Sequence, residues 1–311
     1  MSGKKYTDSI SRVHSPLKGK HIAVIGGDMR LYYLYEALKE DGCSVSGYAL
    51  ASPTGQSAQC ESTLYGVLEN SDAVILPYPI SPDGVFLNTP TEHKIPLCEL
   101  FSAISEFNIN NIFAGAVKLQ TEELARVYGI SLRDYGADEA LTQKNALCTV
   151  EGALGILISE LPITINGSVF TVLGYGRIGR IMSQRLKALG AEVNAVARKS
   201  KDLAMMSIDG VRAYSYDALD LSIKDAAAVI NTVPAMILDE NALSGVCSDT
   251  LILDLASSPG GVDREAAKRL EKRVIWALSL PGKTSPKSAA LIIKETITEA
   301  LGNNTDIKTT V

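Results

Sequence analysis

Ser168-Val169-Phe170-Thr171-Val172-Leu173-Gly174-Tyr175-Gly176-Arg177-Ile178-Gly179 decides the architecture of this 311-residue chain. A short apolar run from Ser168 to Leu173 reads as a strand. It leads into a G-x-G-x-x-G turn, from which an amphipathic helical pattern runs from about Arg177 to Leu189. Gly190 ends that helix, and Glu192–Ala197 reads as the next strand. In this setting each glycine has a task. Gly174 permits the tight turn, Gly176 lets backbone approach a pyrophosphate, and Gly179 lets helix and strand pack closely. The helix N-terminus adds free N–H groups and a positive dipole. A glycine turn without ligand is the plain alternative, but strand, turn and helix in this order favour a bound dinucleotide.

Downstream, strands are predicted at Ala227–Asn231, Thr250–Asp254 and Val274–Ala277. Upstream, His21-Ile22-Ala23-Val24-Ile25 runs into Gly26-Gly27-Asp28 and a helix with Leu31, Leu34, Tyr35 and Leu38 at helical spacing. Gly42 stops that helix, and Ser44–Leu50 is the following strand. Ala73–Leu76 and Asn111–Ala114 are further strands, and the Pro-rich stretch Pro77–Pro96 is predicted as a long loop. A long helix from about Leu141 to Glu160, with Leu147, Val150, Leu154, Leu157 and Ile158 as its apolar stripe, connects the halves until Pro162 stops it. A last helix, Pro286 to Leu301, starts with Pro at its favoured first position and is expected to fold back on the first half.

Alternating strands and helices imply parallel sheets. The expected fold is α/β, two doubly wound parallel-sheet domains with a cleft between them, the second a Rossmann dinucleotide-binding domain. Residues 1–18 are expected as a flexible N-terminus and 19–145 as a flavodoxin- or Rossmann-like substrate domain joined by the helix 286–302. A connecting helix spans 146–162, the dinucleotide domain 163–285, and 303–311 forms a flexible tail.

Composition narrows the function. A net charge of −5 argues against general nucleic-acid binding, which needs a basic face. Cys43, Cys60, Cys98, Cys148 and Cys247 are odd in number and form no C-x-x-C pair. His14, His21 and His93 have no ligand spacing, so neither a metal nor a disulfide framework is expected. The polar start lacks the apolar stretch of a signal peptide, and no apolar run approaches a membrane span. A cytoplasmic homo-oligomer is the expectation.

The end of the second strand distinguishes the cofactors. NAD enzymes usually place Asp or Glu there to hold the ribose 2′-OH. This chain has Ala197-Arg198-Lys199-Ser200-Lys201. Arg198 can clamp a 2′-phosphate, Ser200 can donate a hydrogen bond, and Lys199 adds charge. A solvated basic turn is the alternative. The reading is NADP(H), with Gly174, Tyr175, Gly176, Arg177, Ile178, Gly179, Arg198, Lys199 and Ser200 contributing.

Three later strand ends supply further candidates: Asn231-Thr232-Val233-Pro234, Asp254-Leu255-Ala256-Ser257-Ser258-Pro259-Gly260-Gly261, and Leu280-Pro281-Gly282-Lys283-Thr284-Ser285-Pro286-Lys287. The same residue types are ordinary turn formers. Gly282-Lys283-Thr284 resembles the end of a P-loop, but Ala277 stands where its first glycine belongs. In the first half, Gly27, Asp28 and Arg30 could hold a carboxylate and Gly115 could let a ligand approach. Glu151 and Gly152 are locally unfavourable inside an apolar helix, which hints at a site.

These blocks together resemble one family. Ile25-Gly26-Gly27-Asp28-x-Arg30, Thr149-Val150-Glu151-Gly152, Leu173-Gly174-x-Gly176-Arg177, Asn231 to Leu238, Leu253 to Gly261, and Leu280-Pro281-Gly282 with Pro286-Lys287 are similar to the dipicolinate synthase A-subunit family of endospore-forming bacteria. The chain departs from that pattern around Tyr135–Asn145 and within Lys283–Ser285. The resemblance implies NADP-dependent oxidation of dihydrodipicolinate, or of its hydrated precursor, to dipicolinate. It also implies the flavoprotein-like dipicolinate synthase B-subunit as partner and the mother cell of a sporulating bacterium as location. On that basis Arg30 and Lys287 are candidate carboxylate clamps, and Glu151 or Asp254 the acid–base group. An NADP-dependent dehydrogenase of another small acid, such as a 2-hydroxy acid, is one alternative. A non-catalytic NADP-binding subunit is the other.

Overall fold

The computed structural model describes residues 17–53, 63–90 and 94–306, without the side chains of 303–306. His14, Cys60 and His93 therefore lie outside the described residues. The chain divides into two compact units, Met1–Lys144 with Pro286–Val311, and Asn145–Ser285.

The first unit begins with β1 (His21–Ile25), α1 (Met29–Glu40), β2 (Ser44–Tyr48), α2 (Leu64–Leu68) and β3 (Ala73–Ile75). It continues with α3 (Leu97–Glu106), β4 (Asn111–Ala114), α4 (Leu119–Val127) and β5 (Leu132–Asp134). The five strands are all parallel in the order β2-β1-β3-β4-β5. Apart from its first residue β1 is fully buried, as is β3, because helices cover both faces of such a sheet. The order reverses between β1 and β3, which places the ligand-binding crevice of this topology at the carboxyl ends of those strands.

The helix α5 (Glu139–Glu160) runs from the first unit into the second. Within the second unit its buried residues are Ala146, Cys148, Val150, Gly152, Ala153 and Leu157, while Ile158 of the predicted stripe is exposed. The second unit continues with β6 (Val169–Leu173), α6 (Arg177–Ala188), β7 (Glu192–Val196), α7 (Ser200–Ile208), β8 (Arg212–Tyr214), α8 (Leu219–Ile223) and β9 (Ala228–Asn231). Then come α9 (Glu240–Ser244), β10 (Leu251–Asp254), α10 (Arg264–Arg269), β11 (Arg273–Trp276) and α11 (Leu280–Thr284). Its parallel sheet has the order β11-β10-β9-β6-β7-β8, the arrangement of the dinucleotide-binding fold.

The final helix α12 (Pro286–Asp306) belongs to the first unit. Ala290, Ile293, Ile297 and Leu301 recur at helical spacing and enter one core with Leu31, Leu34 and Leu38 of α1. Lys294 pairs with Asp41 at 2.8 Å on the rim of that contact.

Several expectations shift. Leu17, expected in a flexible segment, is fully buried in the first unit's core. The last helix continues to Asp306, into the expected tail, and 307–311 lie outside the described residues. The Pro77–Pro96 loop is followed at once by α3, whose Leu97, Leu100, Phe101 and Ile104 form a buried helical stripe. The edge strands β5 (Leu-Arg-Asp) and β8 (Arg-Ala-Tyr) carry too little apolar alternation to be foreseen, because each pairs with one neighbour only.

Candidate functional site

The glycine turn sits where β6 ends, at the point where the second sheet's order reverses. Gly174 has φ +91°, and a Cβ there would lie 2.7 Å from both Thr232 Oγ1 and Val233 Cγ2. A Cβ on Gly179 would lie 2.1 Å from the Gly174 carbonyl oxygen, so α6 packs on the turn only because that side chain is missing. At Gly176 a Cβ would meet nothing within 4 Å. Gly176 is the N-cap of α6, and no side chain caps that helix. A helix N-terminus that no N-cap side chain occupies suits a phosphate.

A cavity of about 510 Å³ opens in front of this turn. Gly174, Tyr175, Gly176, Arg177 and Ile178 form its middle, with Arg198 and Lys199 toward β7 and Thr232, Val233, Pro234, Leu255 and Ala256 toward β9 and β10. Ser257, in the segment that follows β10, lines it too, as do two residues that sequence reasoning passed over, Asp202 and Tyr216. Asp202 qualifies the basic reading of this end, since it places a carboxylate in the first turn of α7. Ser200, the first residue of α7, is exposed and is not part of the cavity wall.

The Tyr175 side chain is buried in the core of this unit, and its hydroxyl donates to Asp209 at 2.8 Å. Burial first, and then Asp209, push this phenol above its ordinary range. Arg180 Nε donates to the same carboxylate at 2.9 Å, so the turn, α6 and the end of α7 are tied together.

Asn231 and Asp254 are buried and spent on bracing. Asn231 Nδ2 donates to Asp254 Oδ1 at 2.8 Å and to the Val233 carbonyl at 3.0 Å, while its Oδ1 accepts from the Val233 amide at 3.1 Å. Asp254 also accepts from the amides of Ala256 at 3.0 Å and Gly261 at 3.0 Å. Both oxygens are engaged and the residue is 3% exposed, so it has the surroundings of a loop brace and not of a proton-transfer group. The two side chains shape the cavity wall through Thr232–Pro234 and Leu255–Ser257. Trp276 Nε1 adds a bond to the Ala256 carbonyl at 2.9 Å.

Gly152 is explained by packing, because a Cβ there would lie 2.6 Å from Thr284 Oγ1 and 3.2 Å from Leu280 Cβ of α11. Glu151 is exposed on α5, and Lys287 is exposed in the first turn of α12.

In the first unit, Asp28 caps α1 by accepting from the Arg30 amide at 3.0 Å. The Arg30 side chain, 4% exposed, gives Nε and Nη2 to Asp28 at 2.8–3.1 Å and Nη2 also to the Tyr78 carbonyl. Burial works against this guanidinium, the Asp28 bonds outweigh it, and its pKa rises. Two candidates are otherwise engaged. The Gly27 amide donates to the Asn88 carbonyl at 2.8 Å, and the space over Gly115 holds Tyr78, whose Cδ2 would be 2.3 Å from an added Cβ. Among the described residues no group of His, Cys, Asp and Glu is arranged to hold a metal, and no helix is long and apolar enough to cross a membrane.

This dinucleotide cavity on a Rossmann sheet, preceded by a second parallel α/β unit, defines a nicotinamide-dinucleotide-binding oxidoreductase. Residues 158–244 accordingly match the NAD-binding domain of the D-isomer specific 2-hydroxyacid dehydrogenases. Residues 21–136 match the N-terminal domain of the dipicolinate synthase A-subunit. Over 305 residues the chain is 32% identical to the dipicolinate synthase A-subunit of Bacillus subtilis (strain 168), covering 92% of this chain and 97% of that one. It belongs to the dipicolinate synthase A-subunit family. The crystal structures of the A-subunits from Bacillus halodurans (26% identity, 92% of this chain and 98% of that one) and Bacillus subtilis (28%, 95% and 100%) both superpose with a TM-score of 0.80. Apo D-lactate dehydrogenase from Escherichia coli shares the fold alone, at 14% identity and a TM-score of 0.59 over 93% of this chain and 98% of that one.

Proposed function

We propose that this chain oxidises dihydrodipicolinate, or its hydrated precursor, to dipicolinate with NADP⁺, acting with the flavoprotein-like B-subunit of dipicolinate synthase in the mother cell of a sporulating bacterium. The observation that carries the cofactor choice is the β7 end of the cavity, where Arg198 and Lys199 stand in place of the acid that NAD enzymes use. Family membership supports the substrate.

Bound NADP⁺ would supply the hydride acceptor. The chain's own residues bind and orient. The N-terminus of α6 holds the pyrophosphate, and Arg198 and Lys199 hold the 2′-phosphate. Val233, Pro234, Leu255 and Ala256 wall the other end against water. Arg30 meets a substrate carboxylate through Nη1, which takes no part in its bonds to Asp28 and Tyr78. Lys287 is the second carboxylate partner. The ring must lose a hydride and a neighbouring proton, and the hydrated form also a water. Glu151 is the exposed carboxylate left for the proton once Asp254 is assigned to bracing.

Two observations bear on the rivals. Dehydrogenases of 2-hydroxy acids rely on a histidine–carboxylate pair, whereas this chain's histidines are His14, His21 and His93, all before residue 145. His21 sits on β1 with Nε2 2.9 Å from Ser46 Oγ. A non-catalytic subunit would bind NADP without turnover.

The test mixes the purified chain with NADP⁺ and freshly generated dihydrodipicolinate, with and without the B-subunit, and follows NADPH and dipicolinate together. Their appearance in step supports the assignment. Tight NADP binding without either product, with both proteins present, removes the substrate. Arg30→Met is expected to raise KM roughly tenfold or more, as loss of a charge-assisted contact should, and to leave NADP binding intact.

A further inference from the structure

We infer that Tyr216 is a specificity-determining residue: its hydroxyl joins Arg198 in holding a phosphomonoester on the ribose of the bound adenosine. The inference rests on the NADP reading above and deepens it.

Tyr216 follows β8, the strand that pairs with β7 through Val196 and Tyr214. The Ala197 amide donates to the Tyr214 carbonyl at 3.1 Å, so the segments leaving the two strands are stitched together just before Arg198 and Tyr216. Both side chains line that cavity on the β7–β8 side of the glycine turn. In this fold the turn holds the pyrophosphate and the end of the second strand holds the adenosine ribose, so Tyr216 belongs to the adenosine end.

The hydroxyl of Tyr216 makes no hydrogen bond with another described residue, although the ring is half-buried. A half-buried phenol usually finds a partner, and because Tyr216 lines the cavity a bound ligand can supply one. Burial, working against a weaker pull from Arg198, raises its pKa, which keeps the O–H a donor at neutral pH. A neutral donor beside a guanidinium suits a phosphate dianion, which accepts several hydrogen bonds at once. Asp202, which lines the same cavity, disfavours an anion, so the dianion has to be held by directed donors as well as by local charge.

Calorimetric titration of the full chain with adenosine 2′,5′-bisphosphate and with 5′-AMP tests this, alongside NADPH and NADH. Tyr216→Phe keeps the ring and removes only the hydroxyl. We expect the bisphosphate and NADPH to bind about ten- to a hundredfold more weakly, the worth of one hydrogen bond to a charged acceptor, with 5′-AMP and NADH unchanged. Equal weakening of both ligand pairs would make Tyr216 a wall for adenine, and no change in either would leave it without a binding role; each result overturns the inference. If the unmodified chain binds the bisphosphate no more tightly than 5′-AMP, the NADP reading itself falls. Tyr216→Ala, judged by the ratio of the two affinities, separates a lost donor from a lost ring.

Discussion

Gly179 has the least freedom of any residue in the site, because the atom nearest to an added methyl is a backbone carbonyl at 2.1 Å and not a side chain that could swing away. Gly179→Ala should therefore push α6 off the turn, cost about 1–3 kcal/mol of stability as overpacking does, and weaken NADP(H) binding more than tenfold in a fluorescence titration. Asp202 acts in the other direction. Its carboxylate shares a cavity with Arg198 and Lys199, so Asp202→Asn should tighten NADPH roughly threefold at low salt, an advantage that shrinks as salt rises. The glycine turn was legible in the sequence because its function is stereochemical and local. Asp202 and Tyr216 were not, since one looks like an ordinary helix-start acid and the other follows a strand that no periodicity announces.

The loops that leave β9 and β10 are shaped by a single buried pair. Asn231 and Asp254 occupy the last positions of adjacent strands and lie opposite each other in the register, so their side chains meet where the chain must turn toward the cavity. Replacing Asp254 with Ala strands the amides of Ala256 and Gly261 and the Asn231 side chain in a buried place. Chemical denaturation should register a loss of about 3 kcal/mol or more. Cofactor affinity should fall with it, while any residual turnover keeps its pH profile, which it would not if Asp254 exchanged the reaction's proton. From sequence, a polar residue at a strand end announces either ligand binding or turn bracing. The choice is made by which donors surround it.

Across the molecule, the last helix is an element of the first unit although the whole second unit separates the two in sequence. Its stripe of Ala290, Ile293, Ile297 and Leu301 completes the core over α1. Ile293→Ala should cost about 2–5 kcal/mol and lower the melting transition of the first unit, while NADPH binding, a property of Asn145–Ser285, keeps its affinity. Two transitions in a calorimetric scan, of which only one moves, would be the outcome.

A parallel α/β protein with one dinucleotide turn can be read from the chain alone, because strand, glycine spacing and helix are contiguous and each obeys short-range rules. Its motif blocks also resembled the family that the 32% identity then established. Which of the polar strand-end residues face the cavity is settled by the folded chain. Asp254, Asn231, Gly115 and Gly152 turned out to serve bracing and close packing, whereas Tyr216 and Asp202 line the cofactor end. The physical reason is that a hydrogen-bond partner or a steric neighbour tens of residues away leaves no periodicity in the chain, and a side chain's role is set by what the fold brings within about 3 Å of it.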